Sequence, residues 1–97
     1  MDDYREDKKM TEKQWLVYIL ECRDGTLYTG ITDDLPRRLS VHGTPRGAKY
    51  TRGRGPFILR FTESCDSYSQ ALRREYAIKK MTKQQKETLI LHAQYST

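Results

Sequence analysis

The run Trp15-Leu16-Val17-Tyr18-Ile19-Leu20-Glu21-Cys22-Arg23-Asp24-Gly25-Thr26-Leu27-Tyr28-Thr29-Gly30-Ile31-Thr32 decides the fold. Its opening residues are almost wholly apolar and rich in aromatic and β-branched side chains, the mark of a buried strand rather than a half-exposed one. Asp24-Gly25 interrupts the run and Thr26-Leu27-Tyr28 resumes it, so the spacing predicts a β-hairpin. Loop length then sets which side chains meet. A two-residue turn at Asp24-Gly25 pairs Cys22 with Leu27 and sends Tyr18 and Tyr28 to opposite faces. A three-residue loop, Arg23-Asp24-Gly25, with Gly25 in the left-handed region, pairs Tyr18 with Gly30 and Leu20 with Tyr28. The second register is the expected one: it sets both phenols on one face, beside a position that has no side chain.

A helix follows at once. Asp33 or Asp34 can cap it, and Pro36 suits its first turn, where a missing N–H costs nothing. Arg38 and His42 sit four apart and so share a face, with Leu35 and Leu39 as the neighbouring apolar pair. Local structure alone thus brings two phenols, a guanidinium and an imidazole within reach of one another.

A chain of 97 residues allows one domain, burying about 60–65% of the surface its unfolded form exposes. No apolar run approaches the roughly 20 residues needed to span a membrane, and the polar N-terminus is no signal peptide, so a cytoplasmic protein is expected. Cys22 and Cys65 lack metal-ligand spacing and are expected to be reduced thiols rather than a disulfide. The net charge of +5 is unevenly spread. Between Asp34 and Glu63 no acid occurs, while Arg37, Arg38, Arg46, Lys49, Arg52, Arg54 and Arg60 give seven positive charges. Such a one-sign segment focuses a positive field and points to a polyanionic partner, nucleic acid first. A solvated basic loop is the plain alternative.

Residues 1–13 hold five acids, four bases and little that is apolar, which predicts a disordered arm before a domain over 14–94 and a short tail over 95–97. Residues 43–56 are rich in glycine, proline and basic side chains and read as a loop with a helical turn near 48–50. Its glycines would let it lie along a phosphate backbone, and Tyr50 could stack on a base or pin the loop to the core. Residues 57–63 alternate loosely as a third strand, completing a small antiparallel sheet with the hairpin. Ser67 and Gln70 stand at capping-box spacing before a helix whose stripe runs through Tyr68, Ala71, Leu72 and Ile78. Glu75 falls inside that stripe. An unpaired carboxylate on a buried face is costly, so it needs a cation, either Arg38 or a metal ion; Glu87 is expected to be solvated. Thr82 and Gln85 repeat the capping spacing before a last helix, packed through Leu89, Ile90 and Ala93 beside Lys83 and Lys86. The architecture expected is α/β (α+β): a small three-stranded antiparallel sheet flanked by helices.

Leu16-Val17-Tyr18 and Tyr28-Thr29-Gly30 resemble degenerate forms of the paired motifs of the GIY-YIG nuclease superfamily. Arg38 falls ten residues after the second tyrosine, where that family places its arginine. Ala48-Lys49-Tyr50-Thr51 and a helix bearing Glu75 are similar to its small stand-alone bacterial branch, and the resemblance spans about residues 15 to 92. Three departures stand beside it: Ile31-Thr32 replaces a lysine common after the second motif, Leu16 replaces the first motif's glycine, and the chain has no asparagine.

The resemblance implies the GIY-YIG fold and a metal-dependent endonuclease acting on DNA, in repair or recombination, with selectivity supplied by a protein partner or a structured substrate. It implies Tyr18, Tyr28, Arg38, His42 and Glu75 as the catalytic set. Glu75 would hold a divalent metal, Mg²⁺ or Mn²⁺, and Gly30, Arg37, Arg46, Lys49, Tyr50, Arg52 and Arg54 would face substrate. Arg38 suits transition-state oxygens through its planar donors. Nearby cations are expected to lower a phenol's pKa; Tyr18 is taken as the base-side phenol and Tyr28 as orienting water or phosphate, and the reverse stays open. His42 could accept or relay a proton. The alternative function is a non-cleaving nucleic-acid-binding module or scaffold on the same fold.

Overall fold

The hairpin forms in the three-residue register. In the computed structural model, which describes residues 14–42, 44 and 53–95, β1 (Trp15–Glu21) runs antiparallel to β2 (Leu27–Thr32), with Tyr18 opposite Gly30 and Leu20 opposite Tyr28. Gly25 has φ 86°, a conformation that side chains rarely tolerate. The Cys22 N–H donates to the Thr26 carbonyl at 2.8 Å and the Gly25 N–H to the Cys22 carbonyl at 2.9 Å. Asp24 closes the turn, accepting from the Thr26 N–H at 3.2 Å and its hydroxyl at 2.7 Å.

β3 (Ile58–Cys65) pairs antiparallel with the other side of β1, giving the order β2-β1-β3. The central place of β1 explains its unbroken apolar run: Val17, Tyr18, Ile19 and Leu20 are at most 1% exposed. The third strand carries a bulge, since Ile19 faces Phe61 while Leu20 faces Leu59, leaving Arg60 as the extra residue. A bulge breaks alternation, which is why the pattern over 57–63 is loose and why Ile58 and Leu59 stay exposed.

Three helices lie among the described residues: α1 (Leu35–Val41), α2 (Tyr68–Lys79) and α3 (Lys83–Tyr95). Asp34, of the two candidates, caps α1, accepting from the Arg37 N–H at 3.3 Å, and Pro36 sits in the first turn. Ser67 accepts from the Gln70 N–H at 3.1 Å, while the Gln70 side chain returns to the Asp66 N–H at 3.0 Å, one residue earlier than in the usual box. Thr82 and Gln85 close a reciprocal box at 2.9 and 3.1 Å, starting α3 a few residues after α2 ends.

The main core lies between one sheet face and the last two helices: Val17, Ile19, Leu27, Phe61 and Cys65 pack on Ala71, Ile78 and Ile90. The buried stripe of α2 is narrower than its sequence suggests. Tyr68 and Leu72 are 52% and 40% exposed, and Tyr68 instead leans on Trp15, ring centroids 4.8 Å apart. Glu87 departs from the solvated role expected for it: Arg60 donates to its carboxylate at 3.0 Å and also binds Glu21, tying β1, β3 and α3 together. Cys22 and Cys65 are buried free thiols. Cys65 lies opposite Trp15 and Cys22 just past the far end of β1, about 23 Å along the strand, too far for a bond.

No helix among the described residues is long and apolar enough to cross a membrane. The arm over 1–13, residue 43, the loop 45–52 with its expected turn, and 96–97 lie outside the described residues. Removing core volume from α2 should separate its buried from its exposed positions. Ile78→Ala should lower stability by about 2–5 kcal/mol and Leu72→Ala by about 0.5 kcal/mol or less, read from urea unfolding midpoints; equal losses would contradict this packing.

Candidate active site

Gly30 is where two strands deliver a site. Tyr18, opposite it on β1, lays its ring across the vacant position. A Cβ added to Gly30 would stand 2.6 Å from the Tyr18 Oη, 2.8 Å from its Cζ and 3.0 Å from the Tyr28 Cε2. Real Cβ atoms do not approach that closely, so the absent side chain is a packing requirement. The two phenol rings lie 6.4 Å apart between centroids. Tyr18 is fully buried and Tyr28 is half-buried.

The Tyr18 hydroxyl meets His42 Nε2 at 2.8 Å. His42 is the C-cap of α1, with extended backbone at φ −63° and ψ 141°, so it leaves the helix rather than continuing its face. It is 6% exposed, with its ring 5.4 Å from Tyr28 and 5.8 Å from Phe57. Burial, reinforced by the Arg38 charge, pushes its pKa from 6.5 down to about 4. The imidazole is therefore neutral at neutral pH; since Arg38 can only donate to the Tyr18 oxygen, the phenol's own proton is left for His42, which assigns Nε2 as the acceptor and the proton to Nδ1.

The expected lowering of the Tyr18 phenol does not occur. Burial raises it to about 12; the polar contact with Arg38 pulls the other way but is the smaller effect, and the charges of Tyr28 and Glu75 raise it further. Surrounding cations fail to win because the ring is sealed between sheet and helix, where desolvation of a phenolate outweighs them. Tyr18 is thus a protonated phenol, held between the guanidinium of Arg38 and the lone pair of His42.

Glu75 projects from α2 with its side chain 18% exposed, close enough to Tyr18 to influence its titration. Within the protein, the cation beside it is Lys79, whose Nζ lies 3.3 Å from the carboxylate, one turn along the same helix. That i,i+4 spacing was legible in the sequence. No group of three or more His, Cys, Asp or Glu side chains fit to hold a metal occurs among the described residues. A single half-buried carboxylate does fit a hard cation that completes its shell with water and substrate phosphate, as Mg²⁺ commonly does. It does not fit an ion caged by protein alone.

Tyr18, Tyr28, Gly30, Arg38, His42 and Glu75 are therefore brought together. Arg37 is exposed on α1 and lines a cavity of about 340 Å³ with Arg38, Thr32, Asp33 and Asp34. Arg54 is held away, at the hairpin tip, where its guanidinium donates to Asp24 at 2.7 Å and its carbonyl accepts from the Arg23 N–H at 2.9 Å. Arg46, Lys49, Tyr50 and Arg52 fall outside the described residues. A larger cleft of about 610 Å³ between β3 and α3, lined by Phe61, Leu89 and Tyr95 among others, contains none of the site residues.

Comparison with known proteins agrees with this geometry. Residues 14–88 match the model of the GIY-YIG catalytic domain. A UPF0213 protein of Halobacterium salinarum is 59% identical over 73 residues, covering 75% of this chain and 95% of that one. The solution NMR structure of the UPF0213 protein BH0048 from Bacillus halodurans is 49% identical, with a TM-score of 0.53 over 79% of this chain and 82% of that one. The protein EF2693 from E. faecalis is 38% identical, with a TM-score of 0.64 over 88% and 91% of the two chains.

The neutral buried imidazole has a consequence for stability. Its folded pKa lies below the unfolded value, so the stability it contributes is present above pH 6.5 and is lost as pH falls through about 4. Between pH 7 and pH 5 this one group should cost about 2 kcal/mol. Urea unfolding should show that loss in the native chain and a shallower pH dependence in His42→Gln. Gly30→Ala, which forces the Tyr18 ring aside, should lose about 1–3 kcal/mol and disturb the tyrosine near-ultraviolet dichroism.

Proposed function

The chain belongs to the GIY-YIG family, and from that premise we propose that it is a small metal-dependent endonuclease that hydrolyses phosphodiester bonds in DNA. Nuclease-like function follows from the family. The proposal goes further on one observation: Tyr18, Tyr28, Arg38, His42 and Glu75 converge around Gly30, although they come from two strands, the end of one helix and the middle of another. Repair or recombination, where branched or damaged strands are cut, is the setting proposed.

The roles follow from burial and charge. Arg38 offers planar donors to the oxygens of a scissile phosphate, where charge gathers in the transition state. Tyr18, buried and protonated, donates to His42 and faces Arg38, so it positions that guanidinium. His42, neutral, fixes the direction of the Tyr18 hydroxyl. Tyr28 is the more accessible phenol and keeps the part of orienting the attacking water. Glu75 would hold Mg²⁺ or Mn²⁺, and the ion, when bound, supplies a Lewis acid for the leaving oxygen. Lys79 keeps the carboxylate compensated without it.

Labelled single-stranded, duplex and branched DNA, and RNA, incubated with Mg²⁺ or Mn²⁺ provide the test. Cleavage of DNA by the native chain is expected, abolished by chelation and reduced about 100-fold or more by Tyr28→Phe and by Glu75→Ala. Equal activity in all three proteins would assign the cleavage to a contaminant. Salt-sensitive binding with no cleavage would replace the endonuclease with a binding module.

A further inference from the structure

Among the described residues β2 is an outer strand of the sheet, and lysines that are not themselves members of the catalytic set line its outer edge. Lys79 and Lys86, from α2 and α3, border a cavity of about 320 Å³ together with Leu27, Tyr28 and Thr29. Lys83 Nζ lies 3.8 Å from the point where a Cβ on Gly25 would stand. The three lysines therefore follow β2 from the level of Thr29 to the hairpin tip, about 13 Å of strand.

Among the described residues only Lys79 has an acidic partner, Glu75, while Lys83 and Lys86 have none. Burial and the charge of Lys79 both push the Lys86 ammonium's pKa down, so like charges are crowded where an anion would relieve them. Thr29, on the wall of the same cavity and 2% exposed, carries a hydroxyl with no hydrogen-bond partner. At the opposite end of β2 lies the cavity where Arg37 and Arg38 stand beside Asp33 and Asp34. Tyr28 stands between the two.

We propose that Lys79, Lys83 and Lys86 form a phosphate-binding track along the outer edge of β2, which carries the nucleic-acid backbone from the Tyr28–Glu75 site towards the hairpin tip. The identity of the ligand rests on the nuclease reading above; the position of the track does not depend on cleavage. The ligand is recognised by its regular phosphates, so binding along the track is independent of base sequence. Lys79 joins the track to the site through Glu75, and Lys83 marks its far end.

Fluorescence anisotropy of labelled duplex and single-stranded DNA across a salt series tests the track on the full chain. Each lost phosphate contact reduces the log–log salt slope by about 0.9 on duplex and about 0.7 on single strands. Lys83→Gln/Lys86→Gln should therefore lower the slope by about 1.8 and about 1.4 respectively. Affinity at 0.1 M salt should fall on the order of tenfold or more. Lys80→Gln removes one charge from the same helix junction, but that ammonium lies 4.8 Å over the Tyr76 ring, so its slope should stay near that of the native chain. If the double variant loses its cooperative unfolding, the two single variants should each lower the slope by about 0.9 on duplex. A slope unchanged from native, or matching Lys80→Gln, overturns the track even if the native chain cleaves DNA. A reduced slope in a chain that cuts nothing keeps the track and removes the endonuclease. Absence of salt-dependent binding in the native chain overturns both.

Discussion

The Tyr18 ring lying across Gly30 is the contact on which the rest of the site depends. It exists only in one strand register, and that register requires a three-residue loop with Gly25 left-handed. A shift of one residue would turn every side chain of one strand to the other face. Once the ring is in place, its hydroxyl needs a buried partner, and His42 supplies the acceptor. His42 is also the residue at which α1 ends, in extended backbone after Val41. A missing side chain thus sets the placement of a phenol and an imidazole.

Electrostatics divides the cations into two populations. Arg54, Arg60 and Arg74 are held by Asp24, by Glu21 and Glu87, and by Glu63. Isolated surface pairs contribute little to stability, but Arg60 grips two carboxylates from the sheet and the last helix while only 23% exposed, so it fixes how α3 sits. These arginines are structural first, although two of them belong to the acid-free segment that suggested a polyanion. Among the described residues further cations flank β2: Arg37 and Arg38, beside Asp33 and Asp34, at one end and Lys79, Lys83 and Lys86 at the other.

Much of the fold was legible in short-range pattern. The apolar run of β1, the Asp24-Gly25 break, Asp34 before Pro36 and the Thr82–Gln85 spacing each encode geometry within a few residues. The reciprocal hydrogen bonds at Thr82 and Gln85 show how local that information is. The stripe of α2 was less readable, because an apolar residue on a helix is buried only where the sheet beneath reaches it. Leu72 lies outside the sheet's cover, whereas Ala71 and Ile78 lie under it. The bulge at Arg60 was hidden for the same reason: its cause is the pairing of β3 with β1, far away in the chain.

By itself the sequence determined the hairpin register, the order of elements, the family and the residue types at the site, since these depend on turn chemistry, spacing and capping. It also contained the Glu75–Lys79 pair in its helical spacing. Only the tertiary structure decided protonation and access. Tyr18 is a phenol with pKa about 12 and His42 an imidazole with pKa about 4 because sheet and helix exclude water from both. Only packing of α2 and α3 against β2 lines three lysines along one strand edge. Desolvation and long-range juxtaposition depend on what lies across space, and neighbouring letters in a chain do not record that.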